Sequence, residues 1–102
     1  MLELNEEVKT YPKITQEDVD NSIIKEEYFR LGEDSTTTVC QLTLYNGFTV
    51  RAESSCVSPE NFDEEIGRSI ALNEAKQKVW PYLGFKLMDN LFLLSLKNKE
   101  SV

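Results

Sequence analysis

The sequence predicts an α+β fold. The expected order is a short N-terminal helix, a three-stranded antiparallel β-meander, a long helix packed across the sheet and a kinked C-terminal helical segment. Three observations predict it. Asn46-Gly47 is flanked by two runs of alternating apolar residues, the strongest short-range hairpin signal. Thr15-Gln-Glu-Asp18 opens an apolar-periodic stretch as a capping box does. Ser58-Pro59 starts a helix-forming run that meets Pro81. At 102 residues the chain is one domain. We expect an arm over 1–13, the α+β body over 14–97 and a tail over 98–102.

The arm ends at Tyr11-Pro12, where the proline biases the preceding residue away from helix. It either frays or docks through Leu2, Leu4 and Val8. The first helix is expected over Gln16 to Ile24, with Ile14, Val19 and Ile23 on its apolar side. Thr15 accepts from the third helical amide and Asp18 stands in for the usual glutamate. Glu26 to Leu31, with Tyr28, Phe29 and Leu31, is the first strand, and Gly32 to Ser35 the turn after it.

Thr36–Tyr45 and Phe48–Ser54 form the hairpin. A two-residue turn would pair Leu42 with Arg51 and Leu44 with Thr49, mixing polar and apolar residues on both faces. A three-residue loop with Gly47 left-handed shifts the register by one. Leu44 then meets Phe48, Leu42 meets Val50 and Cys40 meets Ala52, while Gln41, Thr43, Thr49 and Arg51 share the other face. Because a one-residue slip exchanges the faces, the pattern selects the bulged turn.

The long helix is expected from Pro59 or Phe62 to Val79. Ser58 is placed to cap it, or Asn61 with Glu64, and Asp63, Glu64 and Glu65 suit the positive end of its dipole. Phe62, Ile66, Ile70 and Trp80 line one face. Gly67, Ala71 and Ala75 form a second, smooth ridge. Glycine inside a helix costs about 1 kcal/mol relative to alanine, so the ridge calls for close packing, either on the N-terminal helix or on a second subunit. Pro81 should end or kink the helix, with Gly84 as a cap. A second helical piece then runs from Phe85 to Leu96. Its seven large apolar residues either complete the core or form an oligomer interface.

Composition removes several function classes. A net charge of −7 weighs against binding a nucleic-acid polymer, which needs basic charge to release counterions. It serves either solubility or a surface that occupies a partner's basic groove. No apolar run approaches the roughly 20 residues of a membrane helix, and no secretory leader is visible. The two cysteines, Cys40 and Cys56, are too few for a disulfide framework or a zinc site. The chain has no histidine, the commonest general acid–base group, and Cys56 therefore has no imidazole partner. Phosphate loops, clustered metal ligands and a serine elbow are missing too. We expect no catalytic residues, metal or cofactor.

A binding site is expected where the second hairpin strand gives way to the long helix. There Arg51, Ser54, Ser55, Cys56, Ser58 and Asn61 would meet a helix N-terminus, whose amides favour anions. Arg68 would add charge, and Tyr45, Phe48 or Trp80 could stack on a base. Local capping by the polar loop and core packing of Phe48 and Trp80 are the competing readings.

The segment Thr38-Val-Cys-Gln-Leu-Thr-Leu-Tyr-Asn-Gly-Phe48 is followed by Glu53-Ser-Ser-Cys-Val-Ser-Pro-Glu-Asn-Phe-Asp-Glu-Glu-Ile-Gly-Arg68. Then come Ala71, Ala75, Lys78-Val-Trp80 and Leu83-Gly-Phe85. Together these resemble the gene product 49 / gene product 66 family of tailed phages and prophages, over about Ile14 to Leu87. Where members often carry glycine after the second strand's valine, this chain has Arg51-Ala52. The resemblance implies a phage or prophage origin and expression in host bacterial cytoplasm, and brings no catalytic mechanism. Small accessory phage proteins often counter host defence. The expected function is accordingly non-enzymatic immune evasion: a homo-oligomer that sequesters a nucleotide signal such as a cyclic oligonucleotide. The alternative is an acidic, protein-binding inhibitor of a host defence nuclease or another nucleic-acid-binding enzyme. An enzyme using its carboxylates or Cys56 ranks third.

Overall fold

The computed structural model describes residues 12–100. Leu2, Leu4 and Val8 of the expected arm lie outside the described residues. Helix α1 spans Gln16–Ser22. Its capping box is reciprocal: the Asp18 amide donates to Thr15 Oγ1 at 3.2 Å, and the Thr15 amide donates to Asp18 Oδ2 at 2.9 Å. The helix stops before the expected Ile24. Ile23 is already extended and pairs with Leu44, because two consecutive β-branched residues favour a pleated strand over a helical turn. Strand β1 therefore begins earlier than expected and covers Ile23–Arg30, with a register shift between Ile23 and Lys25.

Strands β2, Thr37–Leu44, and β3, Thr49–Ser55, complete an antiparallel sheet in the order β1-β2-β3. Leu42 pairs with Val50, Cys40 with Ala52, Gln41 with Arg51 and Thr43 with Thr49, the register of the bulged turn. The Gly47 amide donates to the Leu44 carbonyl and the Leu44 amide to the Phe48 carbonyl, each at 2.8 Å. Gly47 has φ +92°, a conformation that side-chain-bearing residues resist.

The start of the long helix differs from expectation. Pro59–Asn61 is a single 3-10 turn, and Ser58 makes no side-chain capping bond. Asp63 is the cap instead: its Oδ1 accepts from the amides of Glu65 at 3.0 Å and Ile66 at 3.2 Å. Helix α2 then runs Glu64–Glu100 as one element with Pro81 inside it. The expected stop at Pro81, the Gly84 cap and a separate Phe85–Leu96 helix are not observed. Proline at position 81 withholds only one helical donor, and the remaining amides carry the ladder onward.

Among the described residues only one face of the sheet is covered. Cys40, Leu42, Leu44, Val50 and Ala52 meet Ala71, Ala75 and Val79 of α2, and Val19 of α1 closes the core. The small-residue ridge is thus the buried side of α2, and it rests chiefly on β2 and β3, not on α1 or a second subunit. The other expected packing face is open, since Ile66 and Ile70 are exposed, while Trp80 is half-buried against the core. Lys76 ties α2 to α1 through Asp20 at 3.0 Å.

The close approach explains Gly67. A Cβ there would lie 2.9 Å from Thr38 Oγ1. Thr38 Oγ1 is also the one buried side-chain nitrogen or oxygen without a hydrogen-bond partner among the described residues. Gly67→Ala is expected to lower the unfolding free energy by about 1–3 kcal/mol despite its better helix propensity. Thr38→Val keeps the shape and removes the orphaned hydroxyl, so it should raise that free energy by about 1 kcal/mol. Denaturant midpoints check both, and a stabilised Gly67→Ala would contradict the packing.

Candidate functional site

The expected site at the start of α2 is only partly assembled. Ser54, Ser55, Cys56 and Asn61 do line one cavity, with Asp63 and Gly67 at the helix end, but its volume is about 180 Å³. Small-molecule pockets span about 300–1,000 Å³. Its polar groups already serve the fold. Thr36 Oγ1 donates to the Cys56 carbonyl at 2.6 Å, and the Cys56 thiol donates to the Ser58 carbonyl at 3.1 Å. Ser55 Oγ bonds Thr37 Oγ1 at 2.8 Å. The helix amides that would attract an anion are occupied by the Asp63 carboxylate, with Glu64 and Glu65 beside it.

The remaining expected residues are elsewhere. Arg68 is held by Glu64 at 3.2 Å, with its guanidinium 5.2 Å from the Tyr28 ring centre. Tyr45 ends β2 at the opposite end of the sheet, where Lys86 lies 4.3 Å over its ring and donates to its hydroxyl. Arg51 does not join the loop serines, because strand alternation turns it to the face opposite Val50 and Ala52.

That uncovered face holds a shallow depression of about 800 Å³. Gln41, Arg51 and Glu53 line it together with Phe29, Val39 and Lys78. Phe29 pairs with Val39, and Val39 with Glu53, so these three cross the sheet in one row. Lys78 reaches over the free edge of β3 and donates to the Arg51 carbonyl at 2.7 Å. The depression thus combines guanidinium, carboxylate, carboxamide and aromatic surface. The hairpin register already set Gln41 and Arg51 on this face. Phe29, Glu53 and Lys78 escaped notice because their meeting depends on β1 pairing and on where α2 crosses.

The covered face has a titratable cluster with no catalytic use. The Tyr28 hydroxyl donates to Glu26 Oε1 at 2.9 Å. Burial first, and then the Glu26 carboxylate, push the Tyr28 phenol upward. Burial likewise pushes the Cys40 thiol upward, so little nucleophilic thiolate forms near neutrality. Among the described residues no group of three or more His, Cys, Asp or Glu is placed to hold a metal ion. None of the described helices is long and apolar enough to cross a membrane.

Residues 14–91 match the model of a family described as phage protein (N4 Gp49/phage Sf6 gene 66). No curated protein and no solved structure matches the chain.

The cluster has a consequence for alkaline stability. Both groups hold their protons more tightly folded than unfolded. As pH passes their ordinary values of 9.0 and 10.0, the unfolded chain releases protons that the fold retains, and stability falls. The melting temperature of the wild type is expected to drop more between about pH 8 and pH 11 than that of Tyr28→Phe. Equal slopes would show that Tyr28 does not couple folding to pH.

Proposed function

The chain belongs to the N4 Gp49/phage Sf6 gene 66 family of phage proteins, and we propose that it acts by binding, without turnover, on a nucleotide signal. In this reading it is a non-enzymatic immune-evasion protein that sequesters a cyclic oligonucleotide in the host bacterial cytoplasm. The observation that carries the reading is the depression on the open sheet face, about 800 Å³ in volume with Arg51 in its lining. That volume lies in the range of small-molecule sites, about 300–1,000 Å³. The Arg51 guanidinium would pair with phosphate oxygens, in the bidentate geometry that arginine favours. The half-exposed Phe29 ring offers a base a stacking surface, while Glu53 and Gln41 would take its edge donors. A base lacking those donors would leave the carboxylate unpaired, which is how such a site discriminates.

The start of α2 suits the same ligand poorly, since Asp63 fills its amides and the cavity is small. Arg51 is therefore kept from the sequence expectation, and Ser54, Ser55, Cys56, Ser58 and Asn61 are assigned to loop structure.

Calorimetry with cyclic di- and trinucleotides tests this reading. We expect tight binding by the wild type, intact nucleotide recovered after heating, and at least about tenfold weaker binding by Arg51→Glu, equivalent to about 1.4 kcal/mol. Its melting temperature should be unchanged. Loss of binding in Asn61→Ala with Arg51→Glu unaffected would move the site back to the helix start. Chemically altered nucleotide would mean an enzyme, and no binding would discard the nucleotide reading.

A second reading rests on charge. The β1–β2 turn and the start of α2 share one end of the molecule, joined by the Thr36–Cys56 hydrogen bonds. That end exposes Glu33, Asp34, Glu60, Asp63, Glu64 and Glu65. It would suit the basic groove of a host nucleic-acid-binding enzyme, and salt-sensitive association with one such enzyme is the corresponding observation.

A further inference from the structure

Leu83 is the last described residue of helix α2 packed against the core. Leu83 and Leu87 are half-buried, and from Leu91 onward every residue to Lys99 is exposed. The large apolar side chains Phe85, Met88, Leu91, Phe92, Leu94 and Leu96 are between 40% and 74% exposed. The strip facing the chain's own body carries Leu83 and Leu87 beside Lys86, which lies on Tyr45, and Asn90, which borders a hollow with Asp18 and Asn21 of α1. Phe85, Met88 and Phe92 lie on the far side of the helix, where no described element covers them.

We propose that this outward strip packs against the same strip of further copies of the chain, so that the second half of α2 is the assembly element of a homo-oligomer. Three observations select that occupant. Phe85, Met88 and Phe92 recur at intervals of three and four residues, the spacing by which like helices interlock side chains. Phe85 and Met88 are each 74% exposed and Phe92 59%, a contiguous apolar strip of the kind that marks an interaction surface. Lys86, Asp89 and Asn90 fall off the seam, and its one charged side chain, Lys99, lies at the far end, seven residues beyond Phe92. Residues 85–99 carry three lysines against one aspartate, and association through them is not opposed by the overall charge of −7.

Light scattering on the full chain at tens of micromolar tests the proposal. A mass at least twice 11.7 kDa is expected, and Met88→Glu/Phe92→Glu should bring it to the monomer value. A monomeric wild type, or a doubly substituted chain that keeps the wild-type mass, would overturn it. A second arm does not depend on how that variant folds. Ser95, three residues beyond Phe92, lies on the seam, and Asn90 lies off it. Under mild oxidation Ser95→Cys should give covalent dimers, and Asn90→Cys should not. Absence of Ser95→Cys dimers, or equal yields from the two, would overturn the assignment.

Discussion

The closeness with which α2 lies on the sheet governs the rest of the molecule. Gly67 brings the helix against Thr38 at a distance no other residue type would allow without displacement. Ala71, Ala75 and Val79 then keep the same ridge on the sheet at spacings of four residues. The strands are seven or eight residues long, about 25 Å, whereas the 37 residues of α2 rise about 55 Å. A helix seated from one end of so short a sheet must overhang the other. The extents of 65 × 36 × 19 Å record that overhang. Past Leu87 the apolar residues are therefore exposed among the described residues as a matter of length.

The same seat decides where chemistry is available. At the start of α2 the chain turns sharply through a loop whose hydroxyls, thiol and carboxylate all bond backbone groups nearby. Those bonds make the strand-to-helix crossing and leave a small cavity. On the other side of the sheet no described element covers Gln41, Arg51 and Glu53, and polar side chains there answer to solvent or to a ligand. One helix on one face of a three-stranded sheet thus leaves two distinct surfaces, a polar sheet face and an apolar helix strip.

Local chemistry was legible in the sequence, and long-range placement was not. The register of β2 and β3 followed from alternation alone, because only one turn type set Leu42 opposite Val50 and Cys40 opposite Ala52. The Thr15–Asp18 capping box was equally local. The start of α2 was misjudged because Ser58, Asn61 and Asp63 are all plausible caps, and the choice rests on where the 3-10 turn delivers the chain. Pro81 was expected to end or kink the helix, which in fact continues through it, because the lost donor and the ring's clash, about 3 kcal/mol, are set against a long ladder on either side. Of the expected site residues, the loop group was gathered correctly by sequence proximity. Arg51 was misplaced relative to it, because proximity along a strand says nothing about which face a side chain takes.

In the proposed assembly α2 is a single helix stabilised from two sources, its own sheet over the first half and other copies over the second. Amide hydrogen exchange measured along the chain at several protein concentrations separates the two most directly. Protection of amides in 67–80 should be independent of concentration, whereas protection in 85–99 should rise as the protein is concentrated and fade on dilution. Equal protection of both halves in dilute, monomeric protein would contradict the account, and so would a second half unprotected at every concentration.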